Sequence, residues 1–260
     1  MNGFRKFKET LFAEARMVIG RVHEREKAGP KTSNFGQFLL GMTDERKGSN
    51  VDGDDAFVVE LFQRFAEIFQ SIQVLQDIEG YLKRFPPKMS RSRYLAYHVH
   101  SYLQEVYVLQ QRLDALIKKY ERWHKPIVDN THTSIAVKTC KLLVARSFKD
   151  IVIVRGGHVH HRHFSDPELD RLEGWEGLAE TSFSDNDRWM REGYRKQANK
   201  TRKKWIKQIA TNNVATIKVL DLFFSDLYSL TFSSRGKVIV PARYRGSQDR
   251  AQQPHAPARA

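Results

Sequence analysis

The chain has 260 residues, with 44 lysines and arginines against 30 aspartates and glutamates, a formal net charge of +14, and one cysteine, Cys140. That length can bury a substantial core without staples, and a lone cysteine excludes an intrachain disulfide and a cysteine-rich zinc module. The charge favours encounter with polyanions, nucleic acid first and anionic membranes second.

The N-terminal Met-Asn-Gly-Phe-Arg-Lys-Phe-Lys lacks the apolar core of a signal peptide, and no window is free of charge over a membrane-spanning length. A soluble, cytoplasmic protein with no membrane partner is expected. From Phe4 to about Lys27, the residues Phe4, Phe7, Leu11, Ala15, Val18 and Val22 recur at helical spacing with charges between them, which predicts an amphipathic helix. Residues 28–55 carry Gly29, Pro30, Gly36, Gly41, Gly48 and Gly53 among polar side chains and read as a long connection. Asn50, Asp52, Asp54 and Asp55 are spaced like the start of a calcium loop. Asp55, however, stands at that loop's glycine position and Leu61 at its bidentate glutamate. Asp54 or Asp55 is expected instead to cap the following helix.

Val58, Leu61, Phe65, Ile68, Ile72, Leu75 and Leu82 alternate at spacings near three and four across 56–84, before Pro86-Pro87. Leu95, Val99, Tyr102, Val106, Leu109, Leu113, Leu116 and Tyr120 do the same across 91–124, before Pro126. Two long helices joined by a short proline turn should pack antiparallel. So regular a stripe is bundle core and is assigned no chemistry. Ile135, Leu142, Leu143, Phe148 and Ile151 favour a helix over 134–155, although the β-branched run Ile151 to Val154 also suits a short strand. Residues 165–187 are acidic and broken by Pro167, Gly174 and Gly177, which predicts turns and a short helix around Trp175.

The last long helix is predicted from about 187 to 231. Lys196, Lys200, Lys203 and Lys207 share one of its faces, Tyr194, Ala198, Trp205 and Ile209 lie toward another, and Ile217, Leu220, Phe224, Leu227 and Leu230 belong to the core. Lys237 to Val240 suits a small strand, and the Gln-, Pro-, Ala- and Arg-rich stretch 245–260 reads as disordered. The fold class is therefore all-α, an up-and-down bundle of long helices over 56–232. It is preceded by an N-terminal helix and long connection over 1–55, and followed by a short strand or coil and a tail over 233–260.

The most unusual stretch is Ile151 to Phe164. An apolar run ends in Arg155, Gly156-Gly157 relaxes the backbone, and His158, His160, His161 and His163 crowd around Arg162. Imidazoles titrating at about pH 6.5 keep donors and acceptors together near neutrality, which suits proton transfer, phosphate contact or metal ligation. A solvated turn or a subunit contact is the plainer reading. For RNA cleavage without metal, a base removes the proton of a ribose 2′-hydroxyl, the oxygen attacks the adjacent phosphate, and a guanidinium stabilises the developing charge. Arg155 and His160 could supply both groups. Arg195, Lys196, Lys200, Lys203, Lys204 and Lys207 would then steer the RNA.

Within an all-α bundle, Arg155-Gly156-Gly157-His158-Val159-His160, with His161 also within the permitted spacing, resembles the arginine–histidine motif of the HEPN superfamily (higher eukaryotes and prokaryotes nucleotide-binding). The likeness extends more loosely over 56–231. It implies a metal-independent endoribonuclease acting on single-stranded or looped RNA, of the kind found in toxin–antitoxin, abortive-infection and anti-phage systems. It further implies a homodimer with a composite site built from Arg155 and His160 of both chains, and an antitoxin or other neutralising partner. Arg155 is the candidate transition-state stabiliser and His160 the candidate acid/base group. His161 is the nearest substitute, and His158, Arg162 and His163 are supporting residues. The same resemblance allows a non-catalytic nucleotide- or RNA-binding or protein-interaction module. The four histidines also resemble the His-x-His-x-Asp-His motif of metallo-β-lactamase-like hydrolases. There Arg162 takes the aspartate position, where a cation opposes a divalent metal, and the alternating strands of that fold are missing. No metal and no cofactor are expected, and no phosphate-binding glycine loop is present because Arg155-Gly156-Gly157 lacks a Gly-Lys-Ser/Thr ending.

Overall fold

The three- and four-residue alternation of apolar side chains becomes a set of long helices, each with its stripe turned inward. The computed structural model describes residues 2–28, 53–84, 89–124, 131–151, 166–181, 188–241 and 244. Its helices are α1 (Gly3–Ala28), α2 (Gly53–Leu82), α3 (Arg91–His124), α4 (Thr131–Ser147), α5 (Pro167–Glu180) and α6 (Arg188–Thr231). Among the described residues there is no β-strand, only an isolated bridge between Phe232 and Val238. The protein is an all-α helical bundle, and every residue of the two predicted stripes on α2 and α3 is buried.

Contacts divide the chain into two compact units, each drawn from several segments. The first takes its described residues from Met1–Glu67, Ala115–Leu142 and Leu220–Ala260, and the second from Ile68–Asp114 and Leu143–Val219.

The first unit is built on aromatic rings. Phe7 packs 4.6 Å from Phe224, 5.1 Å from Phe232 and 5.6 Å from Phe65, between ring centroids. Offset and edge-to-face pairs of this kind add to what area burial alone contributes. The start of α1 lies hard against α6: a Cβ on Gly3 would fall 2.0 Å from Ser225 Oγ, and the Phe4 amide donates to Asp221 Oδ1 at 3.3 Å. Ala15, Val18 and Val22 pack with Val58 and Val59, so α1 runs antiparallel to α2. Trp123 meets Phe57 at 4.9 Å and Lys119 pairs with Glu60 at 2.6 Å, which sets α3 antiparallel to α2. Asp54 and Asp55 both lie in the first turn of α2, where Asp55 pairs with Arg21.

In the second unit a single amide ties three helices together. Asn213 on α6 accepts from the Tyr102 hydroxyl of α3 at 3.0 Å and donates to Leu75 O and Glu79 Oε2 of α2 at 3.3 and 3.0 Å. The short helix expected around Trp175 is the fourteen-residue helix α5, longer than the turns predicted beside it would allow. Asp166 caps it, Oδ1 accepting from the amides of Glu168 and Leu169 at 3.0 and 3.1 Å, and Pro167 occupies the first helical position, where its missing N–H costs nothing.

Two further elements differ in detail from the sequence reading. Helix α4 forms as expected, but Ala136, Val137, Cys140 and Val144 face inward while Ile135 and Leu142 are exposed. The predicted strand over 237–240 is instead the return arm of a turn closed by Gly236 at φ 74°, with Ser233 N donating to Lys237 O and Ile239 N to Thr231 O, both at 2.8 Å. The tail over 245–260 lies outside the described residues, as does the connection between 28 and 53.

Candidate nucleic-acid interface

Helix α6 carries its chemistry because of how its buried residues are spaced. Ala198, Thr201, Trp205 and Ile209 are buried at intervals of three, four and four. At about 100° per residue, those intervals hold them on one side of the helix. The same arithmetic carries Lys196, Lys200, Lys203 and Lys207 to the opposite side, and all four are exposed. They span twelve residues, about 16 Å of helix. Further along the same line come exposed Val214 and Lys218.

The line is electrostatically one-signed. Glu192 at the start of α6 is paired with Arg188 at 3.1 Å, and from Gly193 to Leu220 the helix holds no carboxylate. Among the described residues, none of Lys196, Lys200, Lys203 and Lys207 is in an ion pair. Of the other two predicted contact residues, Arg195 is exposed on the flank, and Lys204 is drawn toward α5 by Glu168 at 3.1 Å. Lys204 is therefore paired within the second unit, and the row outside any described ion pair is the four lysines. Such a row offers ammonium groups to a run of phosphates.

A buried carboxylate holds the neighbouring parts of the second unit. Glu176 of α5 accepts from Ser90 Oγ at 2.6 Å and from the Arg91 amide at 3.0 Å, and also from the Ser92 and Tyr194 hydroxyls. Burial by itself would raise its pKa, but the hydrogen bonds from Ser90, Ser92, Tyr194 and the Arg91 amide together bring it below the usual value. The positive end of α3 favours the same ionised form. Burial and the bond to this carboxylate push the Tyr194 phenol well above its ordinary range. With every partner held in this way, Glu176 fixes α5, α6 and the start of α3 to one another. The sequence reading placed a short helix here but missed the role of this carboxylate, because its partners Ser90, Arg91 and Ser92 stand 84 to 86 positions away.

Arg155, His158, His160, His161, Arg162 and His163 lie outside the described residues, which end at Ile151 and resume at 166. Helix α4 ends at Ser147, Phe148 makes a turn, and residues 149–151, the last described before this segment, are helical. Among the described residues no cluster of three or more His, Cys, Asp or Glu side chains could hold a metal ion, and no helix is long and apolar enough to cross a membrane. No family model, curated protein or solved structure matches the chain.

Proposed function

We propose that this protein binds RNA along α6 and cleaves it without metal through Arg155 and His160, as an endoribonuclease of HEPN type. The observation that carries the reading is the row Lys196, Lys200, Lys203 and Lys207, exposed, outside any described ion pair and set opposite the core of a helix without carboxylates from 193 to 220. Support also comes from the all-α bundle and from the arginine- and histidine-rich segment that follows α4.

In this mechanism the lysines hold the phosphates of a single-stranded or looped RNA, whose nucleotides can splay into the in-line geometry the reaction needs. His160 takes the 2′-hydroxyl proton, and the 2′-oxygen bonds to phosphorus as the P–O5′ bond breaks. The 5′-oxygen leaves as a hydroxyl with a proton from the imidazolium or water, and Arg155 offers its fork of N–H groups to the phosphoryl oxygens as charge develops. His161 is the substitute base, and His158, Arg162 and His163 contact phosphate. The proposal extends to a homodimer with a composite site and to a neutralising partner, in keeping with a toxin or anti-phage effector.

The test is incubation of purified protein with mixed cellular RNA in EDTA, comparing wild type with Arg155→Ala and His160→Ala. Wild type is expected to cleave and leave 2′,3′-cyclic phosphate ends, with each variant slowed about 10²-fold or more while keeping the wild-type circular dichroism spectrum. RNA bound but left intact by wild type would overturn the catalytic part and leave an RNA-binding module.

A further inference from the structure

Helix α3 has a second face that its buried stripe conceals in the sequence. From Arg91 to Gln104 it reads Arg-Ser-Arg-Tyr-Leu-Ala-Tyr-His-Val-His-Ser-Tyr-Leu-Gln, with arginines, tyrosines and histidines but no carboxylate. In the structure His98 is the centre of a ring cluster. Its centroid lies 4.4 Å from Tyr94 and 5.2 Å from Tyr97, both edge-to-face, and 5.4 Å from Tyr81 at the end of α2. All four residues belong to the second compact unit.

The cluster is rigid at its base and open at its top. The Tyr94 hydroxyl donates to Tyr81 O at 2.9 Å, and the Arg84 amide donates to the same carbonyl at 3.0 Å. Yet Tyr97 is 67% exposed and Tyr81 53%. Burial lowers the pKa of His98, which favours its neutral ring. The surroundings are positive. Arg84 and Arg93 are exposed, and Arg93 precedes Tyr97 by one helical turn and so shares its face. The nearest carboxylates in sequence are occupied: Glu79 by Lys83 and Asn213, each at 3.0 Å, and Glu105 by Arg112 at 3.6 Å.

Fixed aromatic rings with open faces beside guanidinium groups are what single-stranded nucleic acid needs from a protein: π-faces for its bases and cations for its phosphates. We infer that Tyr81, Tyr94, Tyr97 and His98 form a platform on which bases of single-stranded RNA stack, with Tyr97 as the principal contact and Arg84 and Arg93 holding the adjoining phosphates. The inference rests on the RNA-binding reading of α6 and deepens it. The lysine row answers to any polyphosphate, whereas the platform answers to nucleobases. The same unit therefore handles both chemical halves of the ligand.

Two probes separate the halves. One is a labelled 2′-O-methyl oligoadenylate of about twelve nucleotides, whose blocked hydroxyls keep it intact, and the other is inorganic polyphosphate of about the same charge. Tyr97→Ala is expected to weaken oligoadenylate binding about tenfold, as loss of one stacked base does, and to leave polyphosphate affinity unchanged. Tyr97→Trp should retain oligoadenylate affinity, and its added indole should be quenched by oligoadenylate but not by polyphosphate. Lys200→Ala should weaken both probes. Unchanged oligoadenylate affinity in Tyr97→Ala, or an equal loss for both probes, overturns the platform while the reading of α6 stands. Failure of wild type to bind oligoadenylate overturns both.

Discussion

At the scale of single residues, Glu176 is the side chain whose loss has the clearest physical consequence. Its carboxylate is held ionised by three hydroxyls and a backbone amide, and its folded pKa lies below the ordinary carboxylate value. A depressed folded pKa contributes stability that is fully present above the unfolded pKa and is lost as pH falls through the folded one. Glu176→Gln should cost about 1–3 kcal/mol at neutral pH, because the amide accepts fewer of these bonds and its NH₂ group faces donors. The variant should also show a shallower fall in stability below the usual carboxylate range. Urea denaturation across that range checks both points, and an acid slope equal to wild type would show that Glu176 is not the titrating partner. None of this was legible in the sequence, since nothing local links residue 176 to Ser90. Asn213 is a parallel case: an amide in a basic helix gives no sign that it will join Tyr102, Leu75 and Glu79.

At the scale of elements, helix existence was legible wherever the apolar period was long. The stripes on α2 and α3 repeat over about seven turns each, and their inward face follows from the period alone. Helix α4 was legible as a helix but not in its orientation. Two of its three largest apolar residues, Ile135 and Leu142, are 63% and 55% exposed, while the smaller Ala136, Val137, Cys140 and Val144 are buried. Small side chains permit close approach of another helix, and hydrophobic size was a misleading guide to the inner face. Helix α5 was underestimated because Pro167 was read as a breaker, whereas after Asp166 it is an initiator. The contrast between α3 and α4 can be measured. Leu113→Ala, at a fully buried position of α3, should cost about 2–5 kcal/mol, and Leu142→Ala about 0.5 kcal/mol or less, both by urea denaturation. A comparable cost at the two positions would contradict the assigned faces.

At the scale of the whole molecule, the +14 charge is not evenly spent. Part of it is engaged in described ion pairs, as at Lys119 with Glu60, Lys204 with Glu168 and Lys237 with Glu14. Lys196, Lys200, Lys203 and Lys207 have no such partner and lie in one row. This part of the candidate site was legible from spacing, because lysines at three- and four-residue intervals must share a helix face. The aromatic face of α3 was not, because its tyrosines alternate with the core stripe and only the contacts of His98 gather them. The segment with Arg155 and His160 lies outside the described residues; its proposed role rests on its residue types, and the cleavage assay tests it. The central claim is that the lysine row is where phosphates bind. Its most direct test is the salt dependence of binding to the intact 2′-O-methyl oligoadenylate, by wild type and by a variant with all four lysines changed to alanine. Each lysine that meets a phosphate contributes about 0.7 to the slope of log K against log salt, so the variant slope should be shallower by about three. A variant with wild-type affinity and wild-type slope would contradict the assignment of α6 as the RNA-binding face.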